Sequence, residues 1–111
     1  MALYFIKKEG YSEDLSVFGA CDERGFLGFC FYSEKEIIGL KILEKTEEEY
    51  WAESLIRAVM NSLELNGGEW CEYRGNDYLK QFKICRFKEE NGVLKVNLKE
   101  FFANGGKCCH G

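Results

Sequence analysis

Short apolar segments separated by charged turns fill the first 43 residues of the chain. Four of these segments have the length and the aliphatic and aromatic content of strands: residues 2–7, 15–21, 26–32 and 37–43. The tetrapeptides DERG and SEKE separate the last three, and each is short enough to be a turn between neighbouring strands. The pattern therefore predicts an antiparallel meander of four strands.

The third and fourth of these segments are nearly continuous apolar runs, interrupted by Gly28 and Gly39. Strands that are covered on both faces have this pattern, whereas a half-exposed strand alternates apolar and polar residues. We therefore expect this part of the sheet to be covered on both faces, on one of them by a helix.

The clearest helical signal follows these strands. Thr46 precedes Glu49 by three residues, which is the spacing of a capping box: the Thr hydroxyl accepts from the Glu49 amide, and the carboxylate returns to the Thr46 amide. The apolar residues that come next recur at helical spacing: Trp51, Leu55, Ile56, Val59, Met60 and Leu63. Asn66-Gly67-Gly68 then ends a predicted helix of about five turns, whose apolar side packs on the sheet.

The rest of the chain predicts three more strands and a short helix. A strand at residues 69–74 and a helix at 76–83 precede a hairpin at 84–98 that turns on Asn91-Gly92. A terminal turn or short helix at 98–106 packs Phe101 and Phe102. The sum is an α+β fold: a mixed, mainly antiparallel sheet packed by one long central helix and a short second helix. We expect one domain over residues 1–104 and a flexible Cys/His tail at 105–111.

The composition limits which partners and which cellular compartment we expect. The 111 residues carry a formal net charge of -4, and no stretch clusters Lys and Arg densely enough to follow a phosphate backbone, so nucleic acid is not an expected partner. No apolar run approaches the roughly 20 residues of a membrane span, and the start of the chain lacks the features of a signal peptide. We therefore expect a cytoplasmic protein whose six cysteines are free thiols.

Two stretches give the chain a resemblance to a known superfamily. They are ESLIRAVMNSLELNGG, a leucine-rich helix with an R-A-x-x-N pattern, and DYLKQFKICRFKEENGVLKVNLKEFF, which precedes the cysteine-bearing tail. With the order of predicted elements, they resemble the GNAT-type N-acetyltransferases, and more closely small acetyltransferase-like proteins of anaerobic firmicutes. The resemblance covers residue 15 to the C-terminus. Only residues 9–14 separate the first two strands, which leaves no room for the pair of helices usual there in the superfamily.

The resemblance implies acetyl-CoA as a cofactor and a cofactor loop before the long helix. In catalytic members, a Gln/Arg-x-x-Gly-x-Gly/Ala turn holds the pyrophosphate on backbone amides at the helix N-terminus. The cofactor contacts would then fall on Leu43, Lys45, Thr46 and Ala52. Here Glu47 stands at the Arg/Gln position, and Glu48 and Tyr50 stand near glycine positions, so only Ala52 fits. Because carboxylates repel a pyrophosphate and the capping box would occupy the amides, the resemblance points to a degenerate cofactor loop.

The general acid implied by the resemblance is altered as well. Many members use a Tyr on the short helix, four residues before the Gly of an L-G-F motif. Matching Cys85-Arg86-Phe87 to that motif places Phe82 at the Tyr position, and Phe cannot donate a proton. Tyr78 lies one helical turn earlier and is the catalytic candidate, although a tyrosine on a half-buried helix commonly serves packing instead.

The C-terminal residues Cys108, Cys109 and His110 are the candidate metal ligands. A zinc site needs about four ligands, so another cysteine or a partner chain would have to complete it. The cysteines that could do so, otherwise expected to be small core residues, are Cys30, Cys71 and Cys85. Three interpretations of the tail stay open: a loose end with oxidisable thiols, a redox pair, and a zinc site. We favour the loose end, because Gly105-Gly106 uncouples the tail from the packed turn.

Three hypotheses for function follow. The sequence favours an acetyltransferase-like domain that has lost conventional acetyl-CoA catalysis and binds a small molecule or a protein, with a homodimer through the sheet edge as an open alternative. The second hypothesis is an active acyl-CoA-dependent N-acyltransferase with an altered cofactor mode. The third is a thiol or metal sensor that uses the C-terminal cysteines and histidine. If the chain is an enzyme, we expect an N-acetyltransferase.

Overall fold

The strands and helices follow the predicted order. The structure is a computed structural model that describes residues 4–12 and 15–103, with side chains described from residue 15 onward. Within these residues the elements are β1 (Tyr4–Ser12), β2 (Leu15–Asp22), β3 (Gly25–Tyr32), β4 (Glu36–Ile42), α1 (Glu48–Leu65), β5 (Trp70–Tyr73), α2 (Leu79–Ile84), β6 (Lys88–Glu90), β7 (Val93–Asn97) and α3 (Leu98–Phe101). The described strands form one seven-stranded sheet in the order β1-β2-β3-β4-β5-β7-β6, parallel at β4–β5 and antiparallel elsewhere.

The first four strands form the predicted antiparallel meander. β1 pairs with β2 from Tyr4↔Cys21 to Ser12↔Leu15, and within the described residues no helix separates the two strands. β1 is longer than predicted, because pairing with the eight residues of β2 extends its polar second half as a strand. The predicted α+β class, with its mixed and mainly antiparallel sheet, is confirmed.

The long helix α1 packs its predicted face on the sheet. Its buried side chains recur every three or four residues: Trp51, Ala52, Leu55, Ile56, Val59, Met60 and Leu63. Full burial of one such Leu or Ile contributes roughly 1.5–3 kcal/mol relative to exposure, so this face is a main source of stability. The helix ends at Leu65, and Gly67 follows it with a φ of +89°, a conformation that glycine adopts without strain.

The predicted capping box at the start of α1 is wrong. The Thr46 amide donates to the Glu44 carboxylate at 2.9 Å, and the N-cap residue is Glu47, whose side chain makes no capping hydrogen bond. A carboxylate two residues before Thr46 competes for the same amide as the predicted partner three residues after it. The chain therefore makes a turn at Thr46 and Glu47 before the helix begins.

The expectation that β3 and β4 are covered on both faces is also wrong. The side chains of Phe26 on β3 and Ile38 on β4 are 51% and 50% exposed. The apolar runs arise instead because one face packs on α1 while aromatic and aliphatic residues also occupy partly exposed positions.

An aromatic stack holds α2 against β5. The ring of Phe82 lies 3.8 Å from that of Tyr73 with the planes nearly parallel, and Phe87 meets Phe82 edge-on at 5.0 Å. Phe82, which the superfamily alignment places at the general-acid position, is fully buried and serves packing. The position of α2, and of the turn that precedes it, is therefore fixed by the core.

The last elements match the prediction closely. β6 and β7 form a hairpin that turns at Asn91 and Gly92, whose φ values of 55° and 82° suit a tight turn between antiparallel strands. The Asn97 side chain caps α3 by accepting from the Glu100 amide at 2.8 Å. Phe101 is buried and Phe102 packs against the core, as predicted. None of the described helices is long and apolar enough to cross a membrane.

Candidate functional site

A cleft opens where β4 and β5 separate. The two parallel strands pair only at Glu36↔Glu72 and Ile37↔Tyr73, although β4 continues to Ile42. Beyond Ile37, the described part of the chain places no strand beside β4 on this side. The separation leaves a cleft of about 500 Å³ along the C-terminal half of β4.

The cleft contains part of the predicted site. It is lined by β4, the loop to α1, the first residue of α1 and the turn before α2: Leu40, Lys41, Ile42, Leu43, Lys45, Glu48, Asp77 and Tyr78. Two predicted cofactor contacts, Leu43 and Lys45, thus border the same cleft as the predicted catalytic Tyr78. The other two lie elsewhere, because Thr46 belongs to the turn before α1 and Ala52 is fully buried in the core. The roles of all five residues stay predictions.

A carboxylate stands at the mouth of the cleft. Glu48, the first residue of α1, accepts a hydrogen bond from the Tyr78 hydroxyl at 2.6 Å, and its Oε2 lies 3.4 Å from Lys45 Nζ. The Tyr78 hydroxyl, with Lys45 beside it, holds the pKa of Glu48 below its ordinary value, so Glu48 is ionised at neutral pH. A negative charge is favourable at a helix N-terminus. The N-terminus of α1 attracts an anion, and the Glu48 carboxylate of the same chain is that anion.

The turn before α2 holds Tyr78 in a left-handed conformation. The Tyr73 hydroxyl donates to the Asp77 carbonyl at 2.9 Å and accepts from the Asp77 amide at 3.1 Å, which fixes the turn from inside the core. Gly75 leaves the space for this contact, since a Cβ there would lie 2.5 Å from the Tyr73 hydroxyl. Tyr78 follows with a φ of 59°, an uncommon conformation for an aromatic residue. Such an outlier marks a turn that the surrounding structure determines.

The proton of Tyr78 is engaged with Glu48. Burial, followed by the hydrogen bond to the Glu48 carboxylate, raises the pKa of Tyr78 well above its ordinary value. A general acid works best when its pKa lies near the operating pH. In this arrangement Tyr78 is a hydrogen-bond donor that ties the turn before α2 to the start of α1.

Three of the four described cysteines are core residues, and the fourth, Cys21, is partly exposed. Cys30, Cys71 and Cys85 are fully buried, as predicted. Burial raises the pKa of Cys30 well above its ordinary value and raises the pKa of both Cys71 and Cys85 to about 12, so they remain thiols. Within residues 4–12 and 15–103, no three His, Cys, Asp or Glu residues are grouped to hold a metal ion. Of the predicted zinc ligands, Cys108, Cys109 and His110 lie outside the described residues, and that site stays a prediction.

Sequence reasoning missed the contact between Tyr78 and Glu48. The two residues are 30 positions apart, and no local pattern pairs them. They meet because β5 lies beside β4 at one end and carries the following turn back towards the start of α1. Aligning Glu48 with a glycine position pointed to the mouth of the cleft but not to its hydrogen-bond partner.

No family profile matches the sequence, and no curated protein sequence matches it either. The fold does match solved structures. Mutant forms of the spermidine/spermine N-acetyltransferase SpeG from Vibrio cholerae match with a TM-score of 0.68 at 11% identity, over 85% of this chain and 73% of that one. The candidate N-acetyltransferase YhhK from Escherichia coli, bound to coenzyme A, matches with a TM-score of 0.65 at 12% identity, over 87% and 99%.

A third structure with this fold is the PaiA N-acetyltransferase from Thermoplasma acidophilum in complex with coenzyme A. It matches with a TM-score of 0.55 at 18% identity, over 76% of this chain and 61% of that one. At such low identities the similarity concerns the fold alone. The predicted GNAT-type fold is therefore confirmed, with one long central helix and a short second helix.

Proposed function

We propose that this chain is an acetyltransferase-like domain that binds a ligand in the cleft beside β4 without conventional acetyl-CoA catalysis. The observation that carries this proposal is the Glu48 carboxylate at the start of α1, held by the Tyr78 hydroxyl at 2.6 Å. The helix end that would receive a cofactor phosphate is thereby supplied with a negative charge from the chain itself.

Acetyl-CoA fits one part of the cleft and not the other. The edge of β4 that no described strand pairs could bond the amides of the cofactor's pantetheine arm, as a strand would. The start of α1 does not fit the pyrophosphate, because Glu47, Glu48 and Glu49 follow one another there. Tyr50, more than half exposed, also adds bulk where close approach to a phosphate needs glycine. Like charges this close to a polyanion weaken its binding.

Two measurements test this proposal. Isothermal titration calorimetry in physiological salt should give dissociation constants above roughly 100 µM for both acetyl-CoA and CoA. Incubation with acetyl-CoA and a panel of primary amines should release CoA no faster than the enzyme-free mixture. Binding at low micromolar concentration, or amine-dependent release of CoA, would contradict the proposal.

The second candidate function is an acyltransferase with an altered cofactor mode. The uncapped start of α1 favours it, because the Thr46 amide is bonded to Glu44 and the Glu47 side chain caps nothing. The first-turn amides are therefore free of the predicted capping box and open to another acceptor. Amine-dependent CoA release by the wild-type chain would decide for this candidate.

A homodimer through an outer strand of the sheet is a separate proposal. β1 and β6 are the outer strands among those described, and unpaired strand edges support association. Sedimentation equilibrium of the full chain tests it, and a mass near the 12.9 kDa of one chain at every concentration would contradict a dimer.

A further inference from the structure

The cleft restricts the chemistry of its ligand. We propose that the ligand is an extended peptide segment with basic side chains, which adds to the sheet as a strand along the edge of β4 that no described strand pairs. This inference rests on the proposed function, because a CoA thioester would fill the same cleft.

The edge of β4 offers backbone hydrogen bonds to the cleft. Lys41 pairs with Phe29, and the Leu43 amide donates to the Leu27 carbonyl at 2.8 Å, so residues 41 and 43 direct their backbone groups at β3. Backbone direction alternates along an antiparallel strand, so Leu40 and Ile42 direct theirs to the other side. Both of these residues line the cleft. An extended peptide can satisfy such an edge with its own amides and carbonyls.

The length of the free edge suits a short strand. β5 accompanies β4 only as far as Ile37, which leaves residues 38–42 without a neighbour on this side among the described strands. Five residues of strand span roughly 16 Å, close to the usual length of a strand in a sheet. Leu40 and the half-exposed Leu43 provide apolar contacts beside this edge.

The charge around the mouth of the cleft favours a cationic ligand. The lining itself is balanced, with Glu48 and Asp77 against Lys41 and Lys45, but the loop and the first turn of α1 beside it add three carboxylates and no further ammonium group: Glu44, Glu47 and Glu49. Lys45 lies beside Glu48 already, so it offers little unpaired positive charge to a ligand. Complementary charge selects among ligands that share the same backbone contacts. A peptide with Lys or Arg side chains is therefore preferred over a phosphate-bearing chain of similar length.

Three synthetic peptides of equal length test the inference on the full chain. The first has four Lys-Val repeats, the second has four Glu-Val repeats, and the third is the Lys-Val peptide N-methylated at every residue so that neither edge can donate. Calorimetry should show binding of the Lys-Val peptide, with the other two weaker by at least tenfold. In a ¹⁵N NMR titration, the amide signals of Leu40 and Ile42 should shift with the first peptide alone.

Two matched variants locate the charge that selects the peptide. Glu48→Gln keeps the shape of the side chain and should lower the affinity for the Lys-Val peptide at least threefold. Glu53→Gln lies on the same helix, away from the cleft and beside Arg57 at 3.0 Å, and should leave the affinity within twofold. Circular dichroism of both variants confirms that they fold.

The outcomes separate this inference from the proposed function. Equal binding of the Lys-Val and Glu-Val peptides, equal binding of the N-methylated peptide, or no binding up to 1 mM would overturn the inference. Low micromolar binding of CoA overturns the proposed function, and displacement of CoA by the Lys-Val peptide would then show that both use one cleft. If neither CoA nor any peptide binds, the peptide inference fails while the loss of acetyl-CoA binding stands.

Discussion

The body of α1 and its first turn differ in the side chains that they carry and in what those side chains contact. From Trp51 to Leu63 the helix buries an apolar face against the sheet, with Leu55 and Ile56 fully enclosed. The first turn, by contrast, begins with two glutamates and no side-chain cap. One helix thus covers the sheet with its body, while the charge of its first turn opposes the approach of a polyanion.

This difference shows that the packing of the helix and the charge at its start depend on separate parts of it. The buried face is determined by volume and hydrophobicity, which a wide range of sequences satisfies. An anion site at a helix N-terminus depends on small residues and on the charge of the first turn. A chain can therefore keep the first and lose the second without losing the architecture.

The largest expected effect is on the body of the helix. Leu55→Ala should lower the free energy of unfolding by about 2–5 kcal/mol, because it removes buried methyl groups and leaves a cavity. Leu65→Ala, at an exposed position of the same helix, is the control and should change it by less than about 0.5 kcal/mol. Urea denaturation followed by circular dichroism gives both values, and a small loss at Leu55 would mean that the buried face is misassigned.

The next effect concerns the charge of the first turn. Glu48→Gln should raise the affinity for CoA about tenfold, because it removes a carboxylate from the helix end that a phosphate would approach. Calorimetry at low and physiological salt measures the change, with Glu53→Gln as the control. An unchanged affinity in both salts would show that Glu48 does not oppose the cofactor.

A comparison of two helix starts tests whether α1 lacks a cap. Asn97→Ala removes the side chain that caps α3 and should cost about 1 kcal/mol of stability. Thr46→Ala should cost less than about 0.5 kcal/mol, because the Thr46 side chain caps nothing and its amide keeps the Glu44 carboxylate. Equal losses of stability in the two variants, measured by urea denaturation, would support the capping box predicted from the sequence.

The smallest effect is a change in acid stability. The Tyr78 hydroxyl keeps the pKa of Glu48 below the ordinary 4.5, so this contact stabilises the folded chain above pH 4.5 and is lost as the pH falls through the lowered value. Tyr78→Phe should lower the melting temperature by about 3 °C at pH 7, and the difference between the two proteins should shrink as the pH falls below 4.5. Melting curves from pH 3 to pH 7 test this, and parallel curves for the two proteins would contradict it.

The sequence predicted the parts of the fold that depend on neighbours along the chain. The helical spacing from Trp51 to Leu63 and the Asn91-Gly92 turn each follow from a short stretch, and each is confirmed. The capping box failed although it is also local, because several carboxylates surround Thr46 and the spacing cannot show which of them takes its amide. Local patterns are therefore reliable where one partner fits, and fail where chemically equal partners compete.

The candidate site was predicted only in part for a different reason. The cleft exists because β4 and β5 pair over two residues and then separate, and that register depends on the whole sheet. The contact between Tyr78 and Glu48 depends on this register in turn. Superfamily resemblance pointed to residues on both sides of the cleft, but the hydrogen bond that joins them required the three-dimensional structure.

The short pairing of β4 with β5 also bears on how the protein folds and opens. The strands of the meander are neighbours in sequence, whereas α1 separates the two strands of this parallel junction. Closing the longer loop between β4 and β5 costs more conformational entropy. Arg74 reinforces the junction through ion pairs with Glu36 at 3.1 Å and Glu72 at 2.9 Å. We expect the sheet to separate here in sub-global opening. The Glu72 amide, which donates to the Lys35 carbonyl at 2.9 Å across the junction, should then exchange its hydrogen earlier than the amides of the meander. A ligand that contacts both sides of the cleft would then slow the separation of β4 from β5.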